Sequence, residues 1–261
     1  MSWLQSELPE RCPPKPWKEC PSNEAIWAEG EKMSILAAAL YGSRARGDQS
    51  ENSDTDILLI TDDGQIQHKS ASNLSLSFYP LSDLRNRAQE GDLFLYHVLS
   101  EGNVLYDPLS LFAELKDGFQ FKSSYDSEID SANEIAWFIT KCSDELLSSP
   151  LLPKRIAWCV RTILISLSAN RGSPVFSLER LDQFHEGHNV LSLIRAKDAQ
   201  SISQNLIADF ETFLKSLKLT DPNPLALHFE DYKQAFKLSK NRLGLSLLRH
   251  LEDATSWSEY D

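Results

Sequence analysis

Residues 40–61 read LYGSRARGDQSENSDTDILLIT, and the fold turns on how this stretch divides. An apolar run, MSILAAALY, ends on the pair Gly42-Ser43. A polar loop carrying Arg44, Arg46 and Gly47 follows, and Asp54 and Asp56 then lead into a second apolar run closed by Asp62-Asp63-Gly64. Both runs are short enough for buried strands. Residues two apart in a strand share a side, so Asp54 and Asp56 should present their carboxylates together while Ile57 and Leu59 face elsewhere. Paired acids repel unless a cation lies between them. Magnesium suits such a pair, because it takes one or two protein carboxylates and leaves its other positions to water and phosphate oxygens. The loop fits the same chemistry: Gly42 lets the backbone approach a phosphate closely, and Ser43 offers a hydroxyl and an N–H. Arg44 and Arg46 bring charge that could balance a triphosphate. The plainer alternative is a polar loop in which Asp54 caps a turn and Asp56 only opens a strand.

Outward from this stretch, residues 1–21 are rich in proline, tryptophan and charge and read as an extended arm. SNEAIWAEGEK, from Ser22, has the acids of a helix start. Downstream, SNLSLSFYP alternates Asn73, Ser75 and Ser77 with Leu74, Leu76 and Phe78, a strand with one wet face. LSDLRNRAQEGDLFLYHVLSEG reads as two helices parted near Gly91, and NVLYDP as a short strand. From about Ser124 the spacing becomes helical over 127–147, 153–170, 191–217 and 229–252, with Pro150, Pro153, Pro174, Pro222 and Pro224 around the gaps. The expected class is α+β: a mixed-sheet domain over 22–120 after the 1–21 arm, then a helical bundle over 124–261.

At 261 residues, 41% hydrophobic and 25% charged, the chain can bury a sizeable core. A net charge of −12 argues against a surface broadly built to coat nucleic acid. The four cysteines, Cys12, Cys20, Cys142 and Cys159, are spaced too widely for a zinc knuckle, and the first residues carry no secretion signal. Reduced thiols in a cytoplasmic protein are expected, and no apolar run approaches the roughly 20 residues that span a bilayer.

GSRARGDQSENSDTDILL resembles the signature of the polymerase-beta-like nucleotidyltransferase superfamily, in which a Gly-Ser turn precedes Asp-x-Asp on a strand. The resemblance covers about 18 residues as a motif and roughly 22–110 as an arrangement of elements. It implies Asp54 and Asp56 as catalytic metal ligands, for magnesium or alternatively manganese. It implies Gly42, Ser43 and Arg46 as nucleotide-binding residues. The activity implied is transfer of a nucleoside monophosphate from an NTP or dNTP to a hydroxyl on protein, nucleic acid or nucleotide. Such members occur in bacterial defence and toxin–antitoxin systems, and aminoglycoside-modifying members share the two-domain plan; for this chain a homo-oligomer or a partner protein is the corresponding expectation. The superfamily usually adds a third acid on a neighbouring strand. Here the matching polar face offers only Asn73, Ser75 and Ser77, so either neutral oxygens and water complete the site, or the domain is a nucleotide-binding antitoxin or regulatory partner without efficient turnover.

Other features have bland readings. RLDQFH, Arg180–His185, has the Arg-x4-His spacing of helical ribonucleases, which chance supplies readily. His185 and His188 could share a metal but lack a third ligand. Lys233, Lys237 and Lys240 make a basic stripe at helical spacing, expected to be solvated. Lys154, Trp158 and Arg161 share a helical face on which Trp158 is core packing or a platform for a base. The tail hydroxyls of Thr255, Ser256, Ser258 and Tyr260 could serve as self-modification acceptors.

Overall fold

The computed structural model describes residues 33–49, 53–146, 149–199 and 203–257. The 1–21 arm, the helix start at Ser22 and the tail hydroxyls lie outside the described residues and side chains. β1 (Ile35–Tyr41) leads through a single helical turn, α1 (Ser43–Arg46), to β2 (Thr55–Thr61). β3 (Gln67–Ala71) and β4 (Leu74–Pro80) form a hairpin, and helices α2 (Leu81–Gln89) and α3 (Leu93–Glu101) precede β5 (Asn103–Tyr106) and α4 (Leu111–Asp117). The strand order is β3-β4-β2-β1-β5. Only the β2–β4 pairing is parallel, which makes the sheet mixed as expected.

The sheet's period of two decides what is covered. Ala37 and Ala39 on β1, Leu58 and Ile60 on β2, and Tyr79 on β4 pack with Leu84, Ala88, Leu95, Val98, Leu111, Phe112 and Leu115 of α2–α4. Asp56 is in phase with Leu58 and Ile60. It therefore sits at the open end of the buried face, where Tyr41 pairs with Asp56 and Ala39 with Leu58.

Two details differ from expectation. β3, sequence QHKSA, is a strand without apolar alternation; it pairs only with β4 at the sheet edge, so it has little to bury. The face of β4 expected to be wet is partly dry, since Ser77 is buried beneath Tyr41 and His68, whose Oη and Nδ1 lie 3.2 and 3.0 Å from its Oγ.

The C-terminal half is helical: α5 (Asp126–Lys141), α6 (Ser143–Leu146), α7 (Leu152–Asn170), α8 (Leu178–Phe184), α9 (Val190–Arg195), α10 (Gln204–Ser216), α11 (Phe229–Leu238) and α12 (Arg242–Trp257). Its core is a second cluster running from Ala132 to Leu251. The single helices expected over 191–217 and 229–252 are each broken. Ser203 caps α10 by accepting from the Leu206 N–H, and Asn241 accepts from Gly244 to start α12. Lys240 falls in the α11–α12 turn with a left-handed φ of 58°, so the expected three-lysine helical stripe ends at Lys237. The last helix reaches Trp257, past the expected end at 252.

Candidate functional site

The bend after β1 and the entry to β2 meet. Gly42 has φ of 76°, and a Cβ built there would lie 2.8 Å from Asp56 Oδ2, so the glycine is required both by its backbone and by the carboxylate packed against it. Ser43 opens α1, whose last turn is closed by Gly47 donating to the Ser43 carbonyl at 2.9 Å. Asp54 is exposed just before β2, and Asp56 is half-buried. Burial first, then the neighbouring Asp54 carboxylate, hold the Asp56 carboxyl above the ordinary aspartate value, against the pull of Lys197, the Ser75 hydroxyl and His97. The sequence-predicted carboxylates and the Gly-Ser bend are thus brought together.

The strand position opposite Asp56 on β4 is Ser75, whose hydroxyl is near enough to lower the Asp56 pKa. A neutral group stands where a third acid was looked for. Among the described residues no group of three His, Cys, Asp or Glu side chains is placed to hold a metal ion. The donor set instead suits a hard divalent cation on two carboxylates: an exposed acid beside one whose charged form burial and repulsion disfavour is relieved by a cation between them.

The arginines are placed differently from the motif-level expectation. Arg44 donates from Nε and Nη2 to the Ser53 carbonyl at 3.1 and 2.7 Å, which pins the chain just before Asp54. Arg46, expected on phosphate, directs Nε to Asp48 at 3.0 Å and Nη1 to Glu101 at 3.3 Å, with His97 Nε2 3.0 Å away. Its charge is already matched by two carboxylates, and it clamps α1 to α3.

Two residues near the pair were missed from sequence. His97 on α3 stacks on Phe176 at 4.6 Å and 15° and is near enough to Asp56 to help lower its pKa. Lys197 lies in the 3-10 turn Ala196–Asp198 after α9, exposed and near enough to lower the Asp56 pKa. No local motif marks either; the fold assembles them. His185 and His188 stack at 4.2 Å, with His185 Nε2 2.6 Å from Ser216 Oγ, and among the described residues no third ligand joins them.

A mixed sheet whose strand β2 opens on paired acids beside a glycine–serine bend, with helices over one face, has the layout of a nucleotidyltransferase domain. The family profile of the polymerase beta nucleotidyltransferase matches residues 26–109, and this segment belongs to the polymerase-beta-like superfamily. A nucleotidyltransferase-like protein from Exiguobacterium sibiricum is similar at 13% sequence identity, over 80% of this chain and 74% of that one, with a TM-score of 0.30. No curated protein matches the chain. Among the described residues, no helix is long and apolar enough to cross a membrane.

Proposed function

We propose that the protein is a metal-dependent nucleotidyltransferase that moves a nucleoside monophosphate from an NTP or dNTP to a hydroxyl acceptor. The observation that carries this reading is the Asp56 carboxylate packed 2.8 Å from the Cβ position of Gly42, with Asp54 beside it. In the reaction the acceptor oxygen bonds to the α-phosphorus, the bond to the β-phosphate bridging oxygen breaks, pyrophosphate leaves, and the acceptor proton passes to solvent. Asp54 and Asp56 would hold magnesium or manganese. Such an ion, when bound, neutralises phosphate charge and lowers the pKa of an attacking hydroxyl. Ser75 orients Asp56, and Gly42 with Ser43 receives phosphate oxygens at the bend. Lys197 adds positive charge from the helical half. Arg46 and Arg44 position the loop.

The acceptor class proposed is a protein, nucleic-acid or nucleotide hydroxyl, in cytoplasmic bacterial defence or toxin–antitoxin settings, ahead of an aminoglycoside. A second reading is favoured by one observation, the serine at the third-acid position. In it the domain binds nucleotide as a regulatory partner or antitoxin without turnover.

The deciding experiment incubates the chain with each labelled NTP and dNTP and magnesium. It resolves small-molecule, oligomeric and protein-linked products and measures pyrophosphate. Magnesium-dependent release in the wild type, reduced on the order of 10²-fold or more in Asp54→Ala and Asp56→Ala, supports transfer. Magnesium-dependent nucleotide binding without pyrophosphate supports the second reading, and absence of both overturns the two together.

A further inference from the structure

A cavity of about 480 Å³ lies between α3 and α7, with His97 among its lining residues. Its volume falls within the roughly 300–1,000 Å³ typical of small-molecule sites. The other walls combine aromatic faces, Phe94, Trp158 and Phe176, with several charged side chains.

The charges sort by whether the protein already satisfies them; Glu90 is an exposed carboxylate at the rim with no ion pair among the described residues, open to solvent rather than to the enclosed wall. Lys122 is paired with Glu128 at 2.5 Å. Asp92 accepts from Arg87 at 2.7 Å and from the Leu95 N–H at 2.9 Å. Arg161 is different. It is half-buried, it donates from Nη2 to the Phe176 carbonyl at 3.0 Å, and among the described residues no carboxylate lies within ion-pair distance of it. Burial, and next the positive charge of Arg46, lower its pKa, while the charges of Asp48 and Glu101 oppose this from farther away. A guanidinium has five N–H donors in a planar fork suited to carboxylate or phosphate. A half-buried one without a carboxylate in direct contact gains from an anion brought to it. The cavity supplies the room for that counter-charge, and its aromatic walls supply faces for a ring attached to it.

We propose that this cavity binds a compact flat-ring anion, whose phosphate or carboxylate group pairs with Arg161 while the ring packs among Phe94, Trp158 and Phe176. The site goes beyond the transfer reaction proposed above and does not depend on it. His97 links the two sites, since it stacks on Phe176 in the cavity wall and is near enough to Asp56 to help lower its pKa.

The test uses the full-length Asp54→Ala/Asp56→Ala protein without divalent ions, so that nucleotide binding at the aspartate pair does not contribute. Adenosine monophosphate, an indole carboxylate and inorganic phosphate are titrated separately by calorimetry and ligand-observed NMR. We expect a ring-bearing anion to bind with a Kd of about 1 mM or tighter. Arg161→Gln should weaken it at least about 10-fold, as loss of a charge-assisted bidentate contact does. Preference for the monophosphate or the carboxylate identifies which anion the site takes. Trp158→Leu, which keeps Arg161, should weaken ring-bearing probes and leave inorganic phosphate unchanged; it reads the site independently should Arg161→Gln fail to fold. The proposal is overturned if no ring-bearing anion binds, if inorganic phosphate binds as tightly as the ring-bearing probes, or if folded Arg161→Gln binds as the parent does. None of these results bears on pyrophosphate release by the wild type, so the two proposals fail separately.

Discussion

Gly42 joins backbone geometry to carboxylate placement in one residue. An alanine there meets strain from the left-handed φ of 76° and places its methyl 2.8 Å from Asp56 Oδ2, so the carboxylate must move. Gly42→Ala should therefore cost about 1–3 kcal/mol in stability, from the backbone, and lower pyrophosphate release on the order of 10²-fold, from the misplaced acid. Thermal melting beside a turnover assay separates the two; full activity with a lowered melting temperature would show that Asp56 need not sit where it does. Asp54, Asp56 and Gly42 were legible because their types and spacing are local. Arg46 was legible as a loop cation but not as a clamp, since its partners Glu101 and His97 come from a helix fifty residues on. Those partners predict a pH dependence. Burial alone would raise the Glu101 pKa, but the hydrogen bond and charge of His97 and the Arg46 guanidinium outweigh it and hold the carboxyl below its ordinary value. A depressed carboxylate stabilises the fold above the unfolded pKa of about 4.3 and loses that contribution as pH falls through the lower folded value. Urea unfolding should find Glu101→Gln less stable by about 1 kcal/mol at pH 7, a small figure because the cluster is partly exposed. The gap should close in acid below the wild type's folded pKa; an equal gap at both ends would assign the loss to packing instead.

At the scale of elements, the sequence showed what burial had to organise. β1, β2 and β4 announce themselves by apolar runs, and the helical half by its 3.6-residue spacing, whereas the edge strand β3 buries little and gave no signal. Helix breaks were illegible for the opposite reason. Residues 229–252 keep one amphipathic period across a turn, and the break depends on a long-range partner. Asn241 donates from Nδ2 to the Ser131 carbonyl at 2.9 Å and to Glu134 Oε2 at 3.0 Å, and its Oδ1 accepts from Gly244 at 3.0 Å. Glu134, buried on α5, also accepts from Ser239 Oγ at 2.7 Å and Asn223 Nδ2 at 3.2 Å. Asn241→Ala removes a cap and leaves a buried carboxylate short of a donor, so it should cost about 3 kcal/mol in chemical denaturation. Lys240→Gly, one residue earlier at φ of 58°, relieves left-handed strain and should be neutral or stabilising by up to about 1 kcal/mol. Equal losses in both variants would mean that the turn, not the asparagine's hydrogen bonds, sets the corner.

Over the whole molecule, residues 34–261 form one compact unit with two hydrophobic clusters, one under the sheet and one in the helical half. Several specific contacts join them. Tyr125, at the start of α5, is 1% exposed and donates its hydroxyl to the buried Gly91 carbonyl at 2.9 Å, across the gap between α2 and α3. Its own N–H donates to Asn170 Oδ1 at the end of α7, at 2.7 Å. The His97–Phe176 stack is a second tie, and Tyr96 reaches the same Phe176 ring at 6.2 Å. Tyr125→Phe keeps the ring and deletes only the hydroxyl, leaving the Gly91 carbonyl without that donor, which should cost about 1–3 kcal/mol. Because the lost bond couples two cores that each bury their own apolar side chains, the loss should also reduce cooperativity. Scanning calorimetry should show a single transition for the wild type, a lower and broader one for Tyr125→Phe, and two resolved transitions when Phe176→Ala is added. A double variant that still melts in one sharp step would mean that the cores are coupled through the wider packing of α3 and α7, and that the two ties only orient His97 between the aspartate pair and the cavity.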